Sequence, residues 1–379
     1  MAKVLCVLYD DPEDGYPKSY ARDDIPRVAF YPGGQSAPNP RGTDYTPGQL
    51  LGSVSGELGL RRFLEDAGHT LVVTADQDGP GSVFDRELPD ADVVICQPSW
   101  PAYLTRERIS RARNLKLAIT AGIGSDHVDL LAASEAGITV AEVTYSSSVS
   151  VAEHAVMMVL ALVRNLFPAH GQVIRGSLDI ADCARRSYDL EGMTVGAVGA
   201  GRTGTAVLRR LRPFVGRLLY TDPRRLPAEA ERQLGLTFFK TAADMVPHCD
   251  VVTISAPLHP GTEGLFGDEL IAAMRRGTYL VNTARPGICD PGAVARALDS
   301  GQLAGYAADA WFPQPASADH PWHGMTPPVS GTSLPAQARY AAGTREILEC
   351  WLEGRPIRDE YLIVAGGALA GTGARSYQL

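Results

Sequence analysis

The chain alternates short apolar runs with amphipathic stretches from its first residues. Up to residue 143, β-branched and apolar runs predict strands at 3–9, 69–74, 91–96, 115–120 and 137–143. Amphipathic stretches at 58–67 and 105–113 predict helices between them. Apolar strands that alternate with helices form parallel sheets covered on both faces, so this part is predicted to be α/β. Residues 10–52, rich in Pro, Gly, Asp and Tyr, are predicted to be a long loop.

A second series of the same kind follows a long helix. Capping-box spacing at Ser150-Val151-Ala152-Glu153 predicts the start of that helix, which continues through the apolar run 155–166. Strands are predicted at 194–198, 217–221, 250–255, 278–282 and 304–308, and a final amphipathic helix at 336–352. We therefore predict two doubly wound parallel-sheet, Rossmann-like domains with a cleft between them. Residues 149–330 form one domain, and residues 1–148 are completed by 331–379 to form the other.

Composition narrows the functional classes. A chain of 379 residues with 45% apolar residues is long enough for two cores. The 35 basic and 43 acidic side chains give a net charge of −8 without a basic stripe, so no nucleic acid partner is expected. No apolar run approaches the ~20 residues of a membrane span, and the N-terminus lacks a signal-peptide layout, so we expect a cytoplasmic protein. Scattered cysteines without C-x-x-C pairs, and no ligand cluster, indicate no metal.

A nucleotide fingerprint follows the strand at 194–198. Gly199, Gly201 and Gly204 form G-x-G-x-x-G, with Arg202 and Thr203 between the last two glycines at the opening of a helix. The glycines allow a pyrophosphate to approach the backbone at a helix N-terminus. Asp222, at the end of the next strand, is placed to accept hydrogen bonds from a ribose 2′-hydroxyl, which favours NAD over NADP. Arg224 and Arg225 lie nearby and would weaken that preference; a purely structural strand-turn-helix is the alternative.

Beyond this fingerprint, the chain resembles the bacterial NAD-dependent formate dehydrogenases of the D-2-hydroxyacid dehydrogenase superfamily. The resemblance extends almost end to end and rests on long, specific strings. They include Tyr31-Pro32-Gly33-Gly34-Gln35, Thr120-Ala121-Gly122-Ile123-Gly124-Ser125-Asp126-His127, Asn282-Thr283-Ala284-Arg285, Trp311-Phe312-Pro313-Gln314-Pro315 and Arg355-Pro356-Ile357-Arg358-Asp359-Glu360-Tyr361. It implies that 149–330 binds NAD, that the substrate domain is the other one, and that the protein is a homodimer formed through the NAD-binding domain.

The resemblance also implies roles for individual residues. Formate gives its hydride directly to the nicotinamide ring and leaves as carbon dioxide, so a small anion must be held and oriented. Arg285 would bind the carboxylate and the Ile123 N–H would assist, whereas taken alone they suit a salt bridge between domains and a core position. Asp309 would contact the nicotinamide carboxamide. Further cofactor-binding residues would be Pro257, His259, Thr283, Ser330 and Gly331.

Three substrate-pocket positions depart from the family pattern. Pro328 stands where the family carries its active-site histidine, Ser147 replaces an asparagine that binds formate, and Ser99 replaces a phenylalanine. Gln314, the family's partner of that histidine, is retained, and His323 in a compressed segment is a possible substitute. The pocket is therefore predicted to be larger and more hydroxyl-lined than a formate site.

Four functions follow from these departures. In the first, the protein oxidises a bulkier formyl, phosphonate or carboxylate compound. In the second, it oxidises formate weakly. In the third, it acts on a D-2-hydroxy acid or phosphite, and this oxidation requires a general base. The fourth is a catalytically silent NAD-binding paralogue that acts as a sensor or scaffold. The glycine-rich tail at 366–377 resembles the family's cofactor-covering segment, and read alone is a flexible terminus.

Overall fold

The chain folds into two compact units. The computed structural model describes residues 1–9, 28–31, 35–39, 57–309 and 324–377. The split unit comprises Met1–Ser147 with Gly331–Leu379, and the continuous unit comprises Ser148–Ser330. Most of the predicted loop at 10–52 and the string at 311–315 lie outside the described residues.

The strands are short and mostly buried. In chain order they are β1 Lys3–Val7, β2 Thr70–Thr74, β3 Val93–Cys96, β4 Leu117–Thr120, β5 Thr139–Glu142, β6 Thr194–Val198, β7 Arg217–Thr221, β8 Leu236–Phe239, β9 Val251–Ile254, β10 Thr278–Asn282, β11 Leu303–Ala308, β12 Gly324–Met325, β13 Leu362–Ala365 and β14 Ala368–Leu369.

Helices connect most of these strands. In chain order they are α1 Arg61–Asp66, α2 Val83–Glu87, α3 Arg106–Arg111, α4 Leu130–Glu135, α5 Ser148–Val163, α6 Leu166–Ile174, α7 Ile180–Arg185, α8 Arg202–Leu211, α9 Ala228–Leu234, α10 Ala242–Met245, α11 Asp268–Ala273, α12 Pro291–Ser300 and α13 Leu334–Leu352.

The split unit has a sheet of order β14-β13-β5-β4-β3-β1-β2. Strands β1 to β5 are parallel, and β13 is antiparallel to β5. One apolar core contains residues of α1 and α13, and another contains residues of α2, α3 and α4. The strand order reverses between β1 and β3, and in open α/β sheets ligands bind at the carboxyl ends of the strands near such a reversal.

The continuous unit has a fully parallel sheet of order β12-β11-β10-β9-β6-β7-β8. Residues of α5 and α8 belong to one apolar core and residues of α11 and α12 to another. The order reverses between β6 and β9, as in the doubly wound dinucleotide-binding fold. The turn after β6 therefore lies where that fold binds its nucleotide.

Several predicted elements differ from the structure. The predicted helix start at Ser150 is wrong, because α5 begins at Ser148; serines at 146, 147, 148 and 150 make the capping pattern ambiguous. That helix also ends before 166, since Asn165 adopts φ +54° and a new helix follows. The tail was predicted to be flexible when read alone, but Gly366 and Gly367, both at positive φ, form the turn of the β13–β14 hairpin.

Within the described residues, no single helix has the length and apolar character to cross a membrane. The pair α5 and α6, bent by 72°, passes that test only when the two helices are taken together.

Candidate active site

The glycine turn after β6 is shaped by close backbone contacts. Gly199 has φ +92°, and a Cβ there would lie 2.7 Å from the Ala256 backbone nitrogen. A Cβ on Gly204 would collide with the Gly199 carbonyl oxygen, whereas one on Gly201 would meet nothing within 4 Å. The first and third glycines are therefore required by packing, and the second leaves open space beside the turn.

The N-terminus of α8 lies at this turn and has no side-chain N-cap. Gly201 is the N-cap residue and supplies no side-chain acceptor, and Arg202 and Thr203 are the first helical residues. Thr205 Oγ1 donates to the Ala200 carbonyl oxygen at 2.7 Å, which fixes the loop to the helix. Uncapped N–H groups and the helix dipole favour a phosphate at this position.

Asp222 follows β7 and joins the end of that strand to the glycine turn. Its Oδ2 accepts a hydrogen bond from the Ala200 N–H at 2.8 Å, and its Oδ1 accepts one from the Arg224 N–H at 2.8 Å. Arg225 is paired with Glu231 at 2.9 Å, so its charge is already engaged. The half-buried Asp222 carboxylate thus sits where the fold binds a ribose.

The turn after β10 presents Arg285. Buried Asn282 organises it, since Asn282 Nδ2 donates to the Arg285 carbonyl oxygen at 2.9 Å and Oδ1 accepts from the Ala284 N–H at 3.0 Å. Arg285 Nη1 donates to the Ala284 carbonyl oxygen at 3.0 Å. Arg285 therefore stands on a turn that the Asn282 side chain braces, and its positive charge acts to lower the pKa of Asp309.

Asp309 follows β11 and is only 5% exposed. Its Oδ2 accepts from the Ser330 N–H at 3.0 Å. Burial raises the pKa of Asp309, while the hydrogen bonds from Ser330 and the charges of His154 and Arg285 oppose that rise. The continuous unit ends at Ser330, and Gly331 is the first residue of the second part of the split unit.

Pro328 lies in the short segment between β12 and Ser330. At one end of this segment the Thr326 N–H donates to the Ala308 carbonyl oxygen at 3.2 Å, and Thr326 Oγ1 lies 3.2 Å from His154 Nε2. At its other end Ser330 binds Asp309. Pro328, where the resemblance expects a histidine, therefore lies in a segment whose two ends are fixed by hydrogen bonds. One of these bonds is to the Asp309 carboxylate.

His154, on α5, predicts that folding stability depends on pH. Burial lowers the pKa of His154, and the Asp309 charge only partly offsets this. Because the unfolded chain then binds the proton more tightly, folding stability should fall as the pH drops below about 6.5. His154→Gln should flatten that decline, measured as the midpoint of thermal unfolding against pH. Replacing exposed His248 by Gln serves as the control, and an unchanged slope in His154→Gln would contradict the assignment.

The loop after β9 carries Pro257 and His259. Thr262 Oγ1 donates to the Pro257 carbonyl oxygen at 2.7 Å, and His259 Nδ1 accepts from the Gly261 N–H at 3.0 Å. Because Nδ1 accepts, the proton of neutral His259 lies on Nε2. Burial lowers the pKa of His259, so the ring is neutral at pH 7.

Among the described residues of the continuous unit, buried hydroxyls without a hydrogen-bond partner occur at Ser148, Thr253, Ser255 and Thr283, and two of these four lie in the turns described above. These two are Ser255 Oγ, in the segment that Gly199 packs against, and Thr283 Oγ1, in the Arg285 turn. An unpaired buried hydroxyl costs free energy unless a ligand or water satisfies it. Together with the open space at Gly201 and the uncapped α8, these groups fit a dinucleotide.

The remaining predicted substrate residues lie on turns of the split unit. Ser99, Ile123 and Ser147 follow β3, β4 and β5, whose carboxyl ends share one edge of the sheet. The first two turns touch, because a Cβ on Gly122 would lie 2.8 Å from Pro98 Cγ. Buried Arg339 Nε donates to the Ser146 carbonyl oxygen at 2.6 Å and braces the third turn.

Some site residues were missed from the sequence, and others lie beyond the described residues. Asn282, His154, Glu142 and Tyr377 make the contacts that hold the site turns; Asn282 and Tyr377 belonged to quoted strings but were given no such role, and His154 and Glu142 were not singled out. Gln314 and His323 lie outside the described residues.

Comparison with known proteins places these features in a family. Residues 156–331 match the family described as D-isomer specific 2-hydroxyacid dehydrogenase, NAD binding domain. The chain is 67% identical to a formate dehydrogenase of Pseudomonas sp. (strain 101), covering 100% of this chain and 95% of that protein. A formate dehydrogenase of Candida boidinii is 47% identical, with 84% of this chain and 92% of that protein covered.

Solved structures of formate dehydrogenases are also similar to this chain. A Granulicella M. formate dehydrogenase has a TM-score of 0.94 at 65% identity, covering 98% of this chain and 100% of the other. An NAD-dependent formate dehydrogenase from Staphylococcus aureus, in complex with NAD, has a TM-score of 0.79 at 38% identity, covering 96% and 99%.

The doubly wound sheet with its glycine turn defines an NAD-binding domain of the D-2-hydroxyacid dehydrogenase type. The chain belongs to the formate dehydrogenase family. It is an NAD-dependent oxidoreductase, and the predicted α/β fold, cofactor and enzyme class are confirmed. The comparisons support this interpretation over a silent paralogue or a D-2-hydroxyacid dehydrogenase.

Proposed function

We propose that the protein oxidises formate to carbon dioxide, with Arg285 as the residue that binds the substrate carboxylate. The observation that carries this proposal is the Arg285 turn, in which buried Asn282 holds the backbone of Ala284 and Arg285 and the neighbouring Thr283 hydroxyl has no hydrogen-bond partner. A guanidinium on such a turn offers parallel donors to two carboxylate oxygens.

NAD, when bound, supplies the hydride acceptor. The chain must then hold a small anion with its C–H bond aimed correctly and keep water away. Arg285 binds the carboxylate, and the Ile123 N–H donates a further hydrogen bond. Asp309 and Ser330 bind the carboxamide, the glycine turn with Arg202 and Thr203 binds the pyrophosphate, and Asp222 binds the ribose. Pro257, His259 and Gly331 line the cofactor, and the family resemblance assigns Gln314 a role toward the substrate.

Formate oxidation needs no base, because the hydride leaves and no proton has to be removed. Pro328 in place of a histidine is therefore compatible with the chemistry, although a hydrogen bond to the anion is lost. Each lost hydrogen bond to a charged ligand costs about 1.5–3 kcal/mol, roughly ten- to a hundredfold in rate or affinity. The small side chains of Ser99 and Ser147 favour a bulkier formyl, phosphonate or carboxylate compound as a second candidate substrate.

The decisive experiment measures initial NADH formation at saturating NAD and high formate, with Arg285→Ala as control. A clear rate that depends on Arg285 supports formate as substrate. A rate equal to that of the control, with NAD binding intact, would rule formate out and leave the bulkier anion.

Restoring the two family side chains tests the altered pocket. Ser147→Asn combined with Pro328→His should raise kcat/KM for formate by roughly a hundred- to ten-thousandfold, because each change restores one donor to the carboxylate, worth about ten- to a hundredfold. Exposed Ser110→Asn provides the control. A double variant that folds, binds NAD and shows no gain would contradict the role given to these positions.

We also propose a homodimer formed through the continuous unit and located in the cytoplasm. Its segment from α6 to Tyr188 exposes large apolar side chains, with exposed fractions from 52% to 82%: Leu166, Val173, Ile174, Leu178, Ile180 and Tyr188. Helix α6 has no buried residue. A second copy of this chain is the occupant that an apolar surface of this kind fits. All six cysteines are free thiols, as suits a reducing compartment.

Placing charges on this surface should separate the subunits. Val173→Glu with Ile174→Glu is expected to shift the mass measured by light scattering from a dimer to a monomer, because two charges would be buried unpaired. Exposed Leu131→Glu, in the split unit, is the control. A doubly substituted protein that keeps the dimer mass would exclude this surface as the interface.

A further inference from the structure

The turn that carries Ile123 has little stiffness of its own. Ile123 lies between Gly122, at φ +148°, and Gly124, at φ +111°. Glycine has more conformational freedom than any other residue, so a turn with two of them costs the most entropy to order. If the Ile123 N–H is to point consistently at a substrate oxygen, other groups must fix the turn.

The side chain of Glu142 fixes the Ile123 turn by hydrogen bonds. This residue ends β5 and is 1% exposed. Its Oε2 accepts hydrogen bonds from the Gly124 N–H at 3.0 Å and from Ser125 Oγ at 3.2 Å. Ser125 Oγ also lies 3.0 Å from Thr120 Oγ1, so Ser125 donates to the carboxylate and accepts from the threonine. A buried carboxylate requires such donors, and here two of them come from the turn.

Tyr377 closes the network from the C-terminal tail. Its hydroxyl oxygen accepts from the Ser125 N–H at 2.6 Å and donates to Glu142 Oε2 at 3.0 Å. The backbone N–H and the hydroxyl of Ser125 are thus joined through Tyr377 and Glu142 into a closed ring of hydrogen bonds. Interactions in such rings strengthen one another and fix geometry more than single bonds do.

The tail that delivers Tyr377 is itself firmly seated. A Cβ on Gly373 would lie 2.6 Å from the carbonyl oxygens of Glu360 and Leu362, so the tail backbone packs directly against that segment. Ala374 is fully buried, and its carbonyl oxygen accepts from the Tyr377 N–H at 2.9 Å. The Tyr377 side chain is therefore held in a fixed position against the Ile123 turn.

We propose that Glu142 and Tyr377 are positioning residues that hold the Gly122–Ser125 turn so that the Ile123 N–H is aimed at the substrate carboxylate. This role rests on the proposed function, in which Ile123 binds formate. Neither side chain needs to touch the substrate, because both act through the backbone of the turn.

Tyr377→Phe tests the ring, since it removes the hydroxyl and keeps the packed aromatic ring. The KM for formate should rise about tenfold, whereas the KM for NAD should stay within twofold, because the nucleotide fingerprint lies in the other unit. Amide hydrogen exchange at Gly124 and Ser125 should be faster. Tyr103→Phe, which removes an exposed hydroxyl from the same unit, should change none of these values.

Glu142→Gln provides the second variant if Tyr377→Phe does not fold. It keeps the side-chain size but replaces one carboxylate oxygen by an amide, and should give the same pattern. A formate KM within twofold of wild type with unchanged exchange would overturn the role, as would equal increases in both KM values. If the wild type does not oxidise formate, the proposed function fails, and the exchange rates alone then decide whether these residues hold the turn.

Discussion

Replacing Arg285 by Ala is expected to lower kcat/KM for formate by about a thousandfold. Two hydrogen bonds to a charged ligand are lost, each worth about 1.5–3 kcal/mol, which corresponds to roughly a hundred- to ten-thousandfold in rate. The turn itself should persist, because Asn282 braces the backbone rather than the guanidinium. Steady-state kinetics with formate at saturating NAD measures the effect.

Arg285→Lys separates charge from geometry. Lysine keeps the positive charge but cannot present the planar fork, so its kcat/KM should fall between those of wild type and Arg285→Ala. NAD affinity, measured by titration, should change less than threefold in both variants. An Arg285→Ala protein that keeps more than a tenth of the wild-type kcat/KM would exclude Arg285 as the principal carboxylate-binding group.

Replacing Asp222 by Ser should reduce the preference for NAD over NADP by about a hundredfold. The carboxylate repels a 2′-phosphate and accepts hydrogen bonds from a 2′-hydroxyl, and serine does neither as strongly. The NAD reaction should also weaken, because Asp222 accepts from the Ala200 N–H and holds the glycine turn. The measurement is the ratio of kcat/KM for the two cofactors with the same substrate.

Asp222→Asn distinguishes these two contributions. Asparagine retains an acceptor oxygen for the Ala200 N–H but has no charge, so cofactor preference should relax while the NAD rate is better preserved. Asp299→Ser, an exposed change in the same unit, controls for a general loss of acidic charge. Unchanged discrimination against NADP in both Asp222 variants would refute the role of this carboxylate.

Much of the continuous unit could be predicted because its signals are local. Strands β6, β7 and β10 have the predicted bounds, since runs of buried apolar residues between helices leave a clear pattern. The glycine fingerprint is also local, because the collision of a Cβ on Gly204 with Gly199 arises within six consecutive residues. Proline, serine and arginine at single positions, such as Pro328, become informative only through the family resemblance.

Elements stabilised by distant partners were not predicted. The antiparallel pairing of β13 with β5 joins segments that are far apart in the chain, and neither segment's sequence encodes the other. The same holds within α5 and α6, where Asn165 at φ +54° breaks an apolar run that reads as one continuous helix. In the folded chain Asn165 Nδ2 donates to the Cys183 carbonyl oxygen at 3.2 Å, a contact that the local pattern does not show.

The amino-acid sequence by itself determined the alternation of strands and helices, the nucleotide turn with Asp222 and the family, because these depend on short-range backbone geometry and on contiguous strings. Only the tertiary structure decided how the site turns are held. His154 meets Thr326 across 172 positions, and Tyr377 meets Glu142 across 235. Hydrogen bonds between such residues leave no periodic or compositional trace, since their partners become neighbours only when the sheet edges and the tail have assembled.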